Sequence, residues 1–116
     1  MQLTFKQSSI WLASQPIDCR KGINGLCVLI VDELNAVPGD GIFIFYNHTR
    51  NRLKMLVWHL NGFMLINKRF EKNKLTIRRH ESGKVSLDPQ QVNWLLMGFD
   101  WITLSNKGHC AIENYF

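Results

Sequence analysis

The sequence lacks the features of a membrane protein or of a secreted, disulfide-stapled one. None of its apolar runs approaches the roughly 20 residues that a membrane span requires. Residues 1–16 contain no continuous apolar segment of the kind that a signal peptide needs. The three cysteines are odd in number and have no CxxC spacing, which argues against a disulfide framework. We therefore expect a soluble protein of the reducing cytoplasm.

Residues that carry catalysis or bind metals are also scarce. The acids are mostly explained as helix caps, turn residues or helix surface, and no paired carboxylates stand out. The histidines fit no metal-ligand spacing, and His109 is adjacent to Cys110 rather than staggered from it. The sequence predicts no catalytic residue, no metal and no cofactor, so we expect a protein that is not an enzyme. A nuclease that uses Asp18 with Arg20 and Lys21 is the alternative.

Positive charge is what the chain has in excess, and it is concentrated in one stretch. Residues 50–79 hold nine of the 14 lysines and arginines but a single acid, Glu71, which gives this stretch a net charge of +8. Because the whole chain carries +5, the remainder carries −3. The pI near 9.4 indicates an acidic partner, of which nucleic acid is the commonest.

The basic stretch also has the pattern of an antiparallel β-meander. Four runs rich in β-branched and aromatic residues lie between positions 42 and 79, with short polar breaks. Asn61-Gly62 predicts a two-residue type I′ turn between two of them. Side-chain alternation places Arg69 and Lys68 on opposite faces of the sheet. One face is predicted to carry Arg52, Lys54, Leu56 and Trp58 from one strand, and Phe63, Leu65, Asn67 and Arg69 from the next.

Two helices are predicted to flank the meander. Asp18 is a good N-cap, and apolar residues spaced by three and four from Ile23 to Leu34 indicate a helix over about 19–35. Asp88, Pro89 and Gln91 begin a second helix, over about 89–98. Short extended segments are expected at residues 9–13 and 85–87, and a last strand at 101–104. The prediction is a single α+β domain over residues 1–116, with the meander at about 42–79 packed by both helices.

A series of motifs resembles one known family. The motifs are DCRKG at 18–22, GIFIF at 41–45, KMLVWHLNG at 54–62, KRFE at 68–71 and LLMGFD at 95–100. Together they resemble the TnpB (Orf2-like) accessory proteins of insertion sequence family 66, over about residues 9–101. Cys19 stands where that family usually has Met, His59 where an acid is common, and Phe70 where Leu is usual.

The resemblance implies an accessory protein of a bacterial transposable element that works beside a separate transposase. Combined with the charge, it leads us to expect non-specific DNA binding through a basic sheet rim. The alternatives are a contact with the transposase through Phe63, Leu65 and Trp58, without DNA, and a basic face that only keeps the sheet soluble. The candidate nucleic-acid-binding residues are Arg20, Lys21, Arg50, Arg52, Lys54, Trp58, Lys68, Arg69, Arg78 and Arg79.

Overall fold

The computed structural model describes residues 9–77 and 83–100, which form a five-stranded sheet with a helix on each face. Within these residues no helix is long and apolar enough to cross a membrane. The elements in chain order are β1 (Ser9–Ala13), α1 (Ile23–Asp32), a short 3-10 helix (Pro38–Asp40), β2 (Gly41–Tyr46), β3 (Arg52–His59), β4 (Gly62–Arg69), β5 (Lys84–Leu87) and α2 (Pro89–Leu96).

The sheet is mixed, with the strand order β4-β3-β2-β1-β5. β1 runs parallel to β2, which the crossover through α1 makes possible, and the other neighbours are antiparallel. The predicted α+β class, with one helix before the meander and one after it, is confirmed. Because β1 inserts beside β2, the meander forms one half of the sheet rather than the whole of it.

The meander has three strands among the described residues, and the predicted fourth one is not formed as expected. Residues 75–77 lie outside the strands, and Arg78 and Arg79 lie outside the described residues. Leu75 is buried in the core on the α2 side, and its N–H donates to the carbonyl of Arg50 at 2.8 Å. Its apolar character therefore reflects burial beneath α2 instead of strand pairing. The candidate strand at 101–104 also lies outside the described residues.

The central strand β2 separates two apolar cores. All six of its residues are buried, as expected for a strand covered on both faces. Phe43 and Phe45 face the core under α1, together with Leu56 and the helix residues Leu26 and Ile30. The core under α2 contains Ile44, Tyr46, Leu53, Trp94 and Leu95. The α1 face and the α2 face of the sheet are named after these two helices below.

The two helices begin in different ways. Asp88 caps α2 as predicted, since its side chain accepts the Gln91 N–H at 2.8 Å and the Gln91 side chain accepts the Asp88 N–H at 2.9 Å. The prediction that Asp18 caps α1 is wrong, because α1 begins at Ile23 with Gly22 at its N-cap. The Asp18 carboxylate instead accepts the N–H of Arg20, two residues on, at 2.9 Å. Such a local turn competes with helix formation.

The turn of the β3–β4 hairpin is also displaced from its predicted position. His59 pairs with Gly62, so the loop residues are Leu60 and Asn61, and Leu60 has a φ of 54°. The observed register pairs Leu56 with Leu65. A loop at Asn61-Gly62 would set Leu56 opposite Asn67 instead. Apolar cross-strand packing has therefore overridden the local preference of the Asn-Gly pair.

The capping difference gives a test on a matched pair of aspartates. Replacing Asp88 with Ala removes both capping-box bonds and should lower the free energy of unfolding by about 1 kcal/mol. Replacing Asp18 with Ala should change it far less, since Asp18 caps no helix and its pair with Arg20 is exposed. Urea denaturation at neutral pH measures both. A larger loss for Asp18→Ala than for Asp88→Ala would contradict the observed start of α1.

The hairpin turn gives a second stability test. Leu60 occupies the left-handed region, which disfavours most side chains and is better tolerated by Asn. Leu60→Asn should raise the free energy of unfolding by up to about 1 kcal/mol. Leu60→Ala is the control, because it shortens the same exposed side chain but keeps the strain. Equal thermal midpoints for the Asn and Ala variants would show that the turn is unstrained.

Candidate nucleic-acid interface

Basic residues of β3 and β4 lie at one end of the hairpin on the α1 face, where the backbone of Lys21 contacts them. Arg52 lies directly opposite Arg69, and Lys54 lies opposite Asn67. The Nζ of Lys54 donates to the carbonyl of Lys21 at 2.8 Å, which ties the segment before α1 to the sheet. We call Lys21, Arg52, Lys54 and Arg69 the basic end. The alternation predicted for β3 and β4 is confirmed by this register.

The electrostatics of the basic end are unfavourable without an anion. Like charges directly opposite each other on neighbouring strands destabilise a sheet. Arg69 is partly compensated by Glu71, whose Oε1 accepts from its Nε at 2.7 Å, although both side chains are largely exposed. Among residues 9–77 and 83–100, no acid pairs with Arg52 or Lys54. A bound anion at this place would relieve the repulsion.

The segment before α1 contributes a second basic group, but in a compensated form. Arg20 makes a bidentate contact with Asp18, with the shortest distance 2.7 Å. The hydrogen bonds from the Arg20 side chain and backbone hold the pKa of the Asp18 carboxyl well below its usual value. Asp18 therefore stays charged and offsets Arg20. Both residues line an open cavity of about 670 Å³, whose other walls are Ile17, Cys19, Asn47, His48, Thr49 and Arg52.

Arg20 and Lys21 do not lie in the first turn of α1, so these two cations do not flank a phosphate site at the N-terminus of this helix. The helix begins two residues after Lys21, so its unpaired N–H groups are set back from both cations. Cys19 lies beside them and is partly buried. Burial raises the pKa of its thiol above the usual value, although the neighbouring charges of Lys54 and Arg52 act in the opposite direction.

The loop between β2 and β3 is more ordered than its sequence predicts. The Asn47 side chain donates to Thr49 Oγ1 at 3.1 Å and to Asn51 Oδ1 at 2.8 Å. Its Oδ1 accepts the backbone N–H groups of Asn51 at 3.1 Å and Arg52 at 3.0 Å. Asn47 thereby fixes the position at which Arg52 enters the sheet. Asn, Thr and Asn at the alternate positions 47, 49 and 51 were the available signal in the sequence.

Other candidate residues lie away from the basic end. Trp58 is six residues along β3 from Arg52, about 20 Å away, and packs edge-on against Phe63 with ring centroids 5.0 Å apart. Lys68 faces α2, where its Nζ donates to the Leu96 carbonyl at 2.5 Å and lies 4.6 Å from the Phe70 ring centre. Arg50 lines a separate pocket with Pro16, Tyr46 and Ile77. Arg78 and Arg79 are outside the described residues.

Among residues 9–77 and 83–100, no group of three or more His, Cys, Asp or Glu side chains is placed to hold a metal ion. At the basic end, positive charge, the pairing of β3 with β4 and a neighbouring cavity coincide.

Comparison with known proteins gives the family. A family model described as IS66 Orf2 like protein matches residues 8–106. The uncharacterized protein y4jC of Sinorhizobium fredii (strain NBRC 101917 / NGR234) is 33% identical over 99 residues, which cover 84% of this chain and 85% of that protein. The uncharacterized protein y4hO of the same strain is 29% identical over 93 residues, covering 79% and 81%. No solved structure matches. The chain belongs to the IS66 Orf2-like family, and this membership implies an accessory role in transposition.

Proposed function

We propose that the protein supports transposition by binding the phosphate backbone of DNA through its basic end. The observation that carries the proposal is the pairing of Arg52 directly opposite Arg69, with Lys54 on the same face. A guanidinium contacts phosphate oxygens through two parallel N–H groups, and an ammonium acts as a point charge beside it. Bound phosphates would replace the repulsion between the two arginines with attraction.

The binding is proposed to be independent of sequence. Reading base edges in the major groove generally requires a helix or a β-ribbon with polar side chains that enter the groove. Neither α1 nor α2 contains a lysine or an arginine. The cations instead lie at one end of the β3–β4 hairpin, beside the segment before α1 that Lys54 holds against the sheet, which suits contact with the DNA backbone. Single-strand binding combines base stacking on aromatic side chains with phosphate contacts close by. Because Trp58 lies far from the basic end of the same chain, one copy of the chain is better suited to duplex than to single-stranded DNA.

A second candidate function is docking onto the transposase of the same element. One observation favours it: the tip of the β3–β4 hairpin exposes 44% of Trp58 and 84% of Leu60. This tip is at the opposite end of the hairpin from the basic end. Phe63 and Leu65, which were also expected in such a contact, pack partly beneath α1 and offer less surface. A contact through the tip would survive high salt, whereas DNA binding would not.

The first test of DNA binding is its salt dependence. If about four cations reach phosphates, the slope of log K against log salt should be about −4 on duplex DNA. Fluorescence anisotropy with labelled duplexes of unrelated sequence measures the slope. Affinity should be similar for all sequences and weak, micromolar or weaker, at physiological salt. A protein that binds no duplex at low salt would exclude this function and leave transposase docking as the proposal.

A matched pair of triple variants separates the basic end from the overall charge. Replacing Arg52, Lys54 and Arg69 with Gln should flatten the slope by about one unit for each lost contact. Replacing Lys68, Lys72 and Lys74 with Gln removes the same charge from the same stretch but spares the basic end. The second variant should retain most of the slope. Equal losses in the two variants would show that net charge, and not this surface, holds the DNA.

We also expect no nuclease activity. The Asp18 carboxylate is tied to Arg20, and in residues 9–77 and 83–100 no metal-binding cluster accompanies it. Purified protein should leave plasmid and single strands intact in the presence of magnesium or manganese. Cleavage that disappears in Asp18→Ala, but persists in a variant of the exposed Asp32, would establish an enzyme instead.

A further inference from the structure

The outer edge of β4 is open in the part of the chain that the structure describes. β4 is the terminal strand of the sheet, eight residues long, and pairs with β3 along its whole length without a bulge. Within residues 9–77 and 83–100, no strand lies on its other side. Every second residue of such a strand turns its N–H and C=O away from the existing neighbour. Over a length of about 27 Å, these outward backbone groups of β4 have no strand partner among the described residues.

The first half of this edge carries none of the usual protection against pairing. It contains no proline and no charged residue from Gly62 to Asn67, and alternating apolar side chains cover both faces. The opposite edge of the sheet, β5, has only four residues. The charged residues Lys68 and Arg69 lie only at the end of β4. Their charges restrict the partners and the registers that can pair with this edge. Long, flat, apolar edges are the sites at which sheets extend across chains.

The sequence of β4 is complementary to itself in one antiparallel register. With Leu65 at a twofold axis, Leu65 meets its own copy and Met64 meets Ile66 of the second copy. Lys68 then lies opposite Gly62, and Arg69 lies opposite Asn61 in the loop. Side chains that share a face stay on that face, as a continuous sheet requires. In this register no cation lies opposite another cation, so charge repulsion does not oppose the pairing. Repulsion between cations would oppose a displaced register.

We infer that two copies of the chain associate through antiparallel pairing of their β4 strands, which forms a continuous ten-stranded sheet. The inference does not depend on DNA binding. It has a consequence for the interface, because Phe63 of each copy lies diagonally across from Arg69 of the other. The Trp58–Phe63 pair, about 20 Å from the basic end within one chain, then lies beside the basic end of the second copy.

The experiment combines mass and backbone protection. Light scattering after size exclusion, over a wide range of concentration, should show a reversible monomer–dimer equilibrium. An edge-only contact is small, so the dimer should be weak and should dissociate on dilution. Hydrogen exchange followed by mass spectrometry should show slower exchange in a peptide spanning β4 as the protein concentration rises. A peptide spanning α1 should exchange at the same rate at all concentrations.

A pair of lysine substitutions tests the register. Ile66→Lys places a charge on either side of the twofold axis and should weaken the dimer by about tenfold or more. Val28→Lys changes a comparably apolar, exposed residue on the outside of α1 and should leave it intact. Circular dichroism confirms that both variants fold. A double variant, Met64→Lys with Ile66→Glu, should restore the dimer, because it sets opposite charges across the twofold axis.

Three outcomes would overturn the inference. The first is a monomer at every accessible concentration. The second is a dimer whose β4 exchange is unchanged by concentration or whose stability is unchanged by Ile66→Lys, which would place the interface elsewhere. The third is β4 protection that is complete and independent of concentration, which would assign the edge to residues outside the described ranges of the same chain.

Discussion

The register of the β3–β4 hairpin is the constraint on which both the fold and the basic end depend. Four apolar cross-strand pairs lie between the loop and the middle of the hairpin, from Trp58–Phe63 to Met55–Ile66. Their packing fixes which residues meet further along the same strands. Arg52 is thereby held opposite Arg69, an arrangement that neither arginine would adopt by itself. The packing energy of the apolar half of the hairpin offsets the repulsion between the two arginines in the basic half.

Much of this fold was predictable because it follows from short-range patterns. The run of β-branched and aromatic residues in β2 indicated a strand, and the Asp-Pro-x-Gln sequence indicated the start of α2. Side-chain alternation placed Arg52, Lys54 and Arg69 on one face. The features that were predicted wrongly depend on contacts between residues that are distant in sequence. Leu60 takes a left-handed turn because the strand pairing requires it, and β1 runs parallel to β2 because α1 crosses between them.

The candidate site shows the same division between local and distant causes. That the cations cluster could be predicted from charge and alternation alone. The sequence did not reveal that Asn47 locks the loop before Arg52, because an Asn-rich loop has no preferred partner until its backbone is fixed. The sequence also placed Trp58 near Arg52 and Lys54, because all three lie on β3 at positions of the same parity. Parity gives the face of the sheet but not the position along the strand.

The position of β4 at the edge of the sheet follows from its composition. A strand with neighbours on both sides and helices over both faces has to be apolar throughout, as β2 is. β4 carries Asn67, Lys68 and Arg69 on alternating faces, and its last four residues are exposed. Burying these residues would cost more than the pairing of one further strand returns. These charges thus keep β4 at the edge of the sheet, where its apolar first half is left without a neighbour among the described strands.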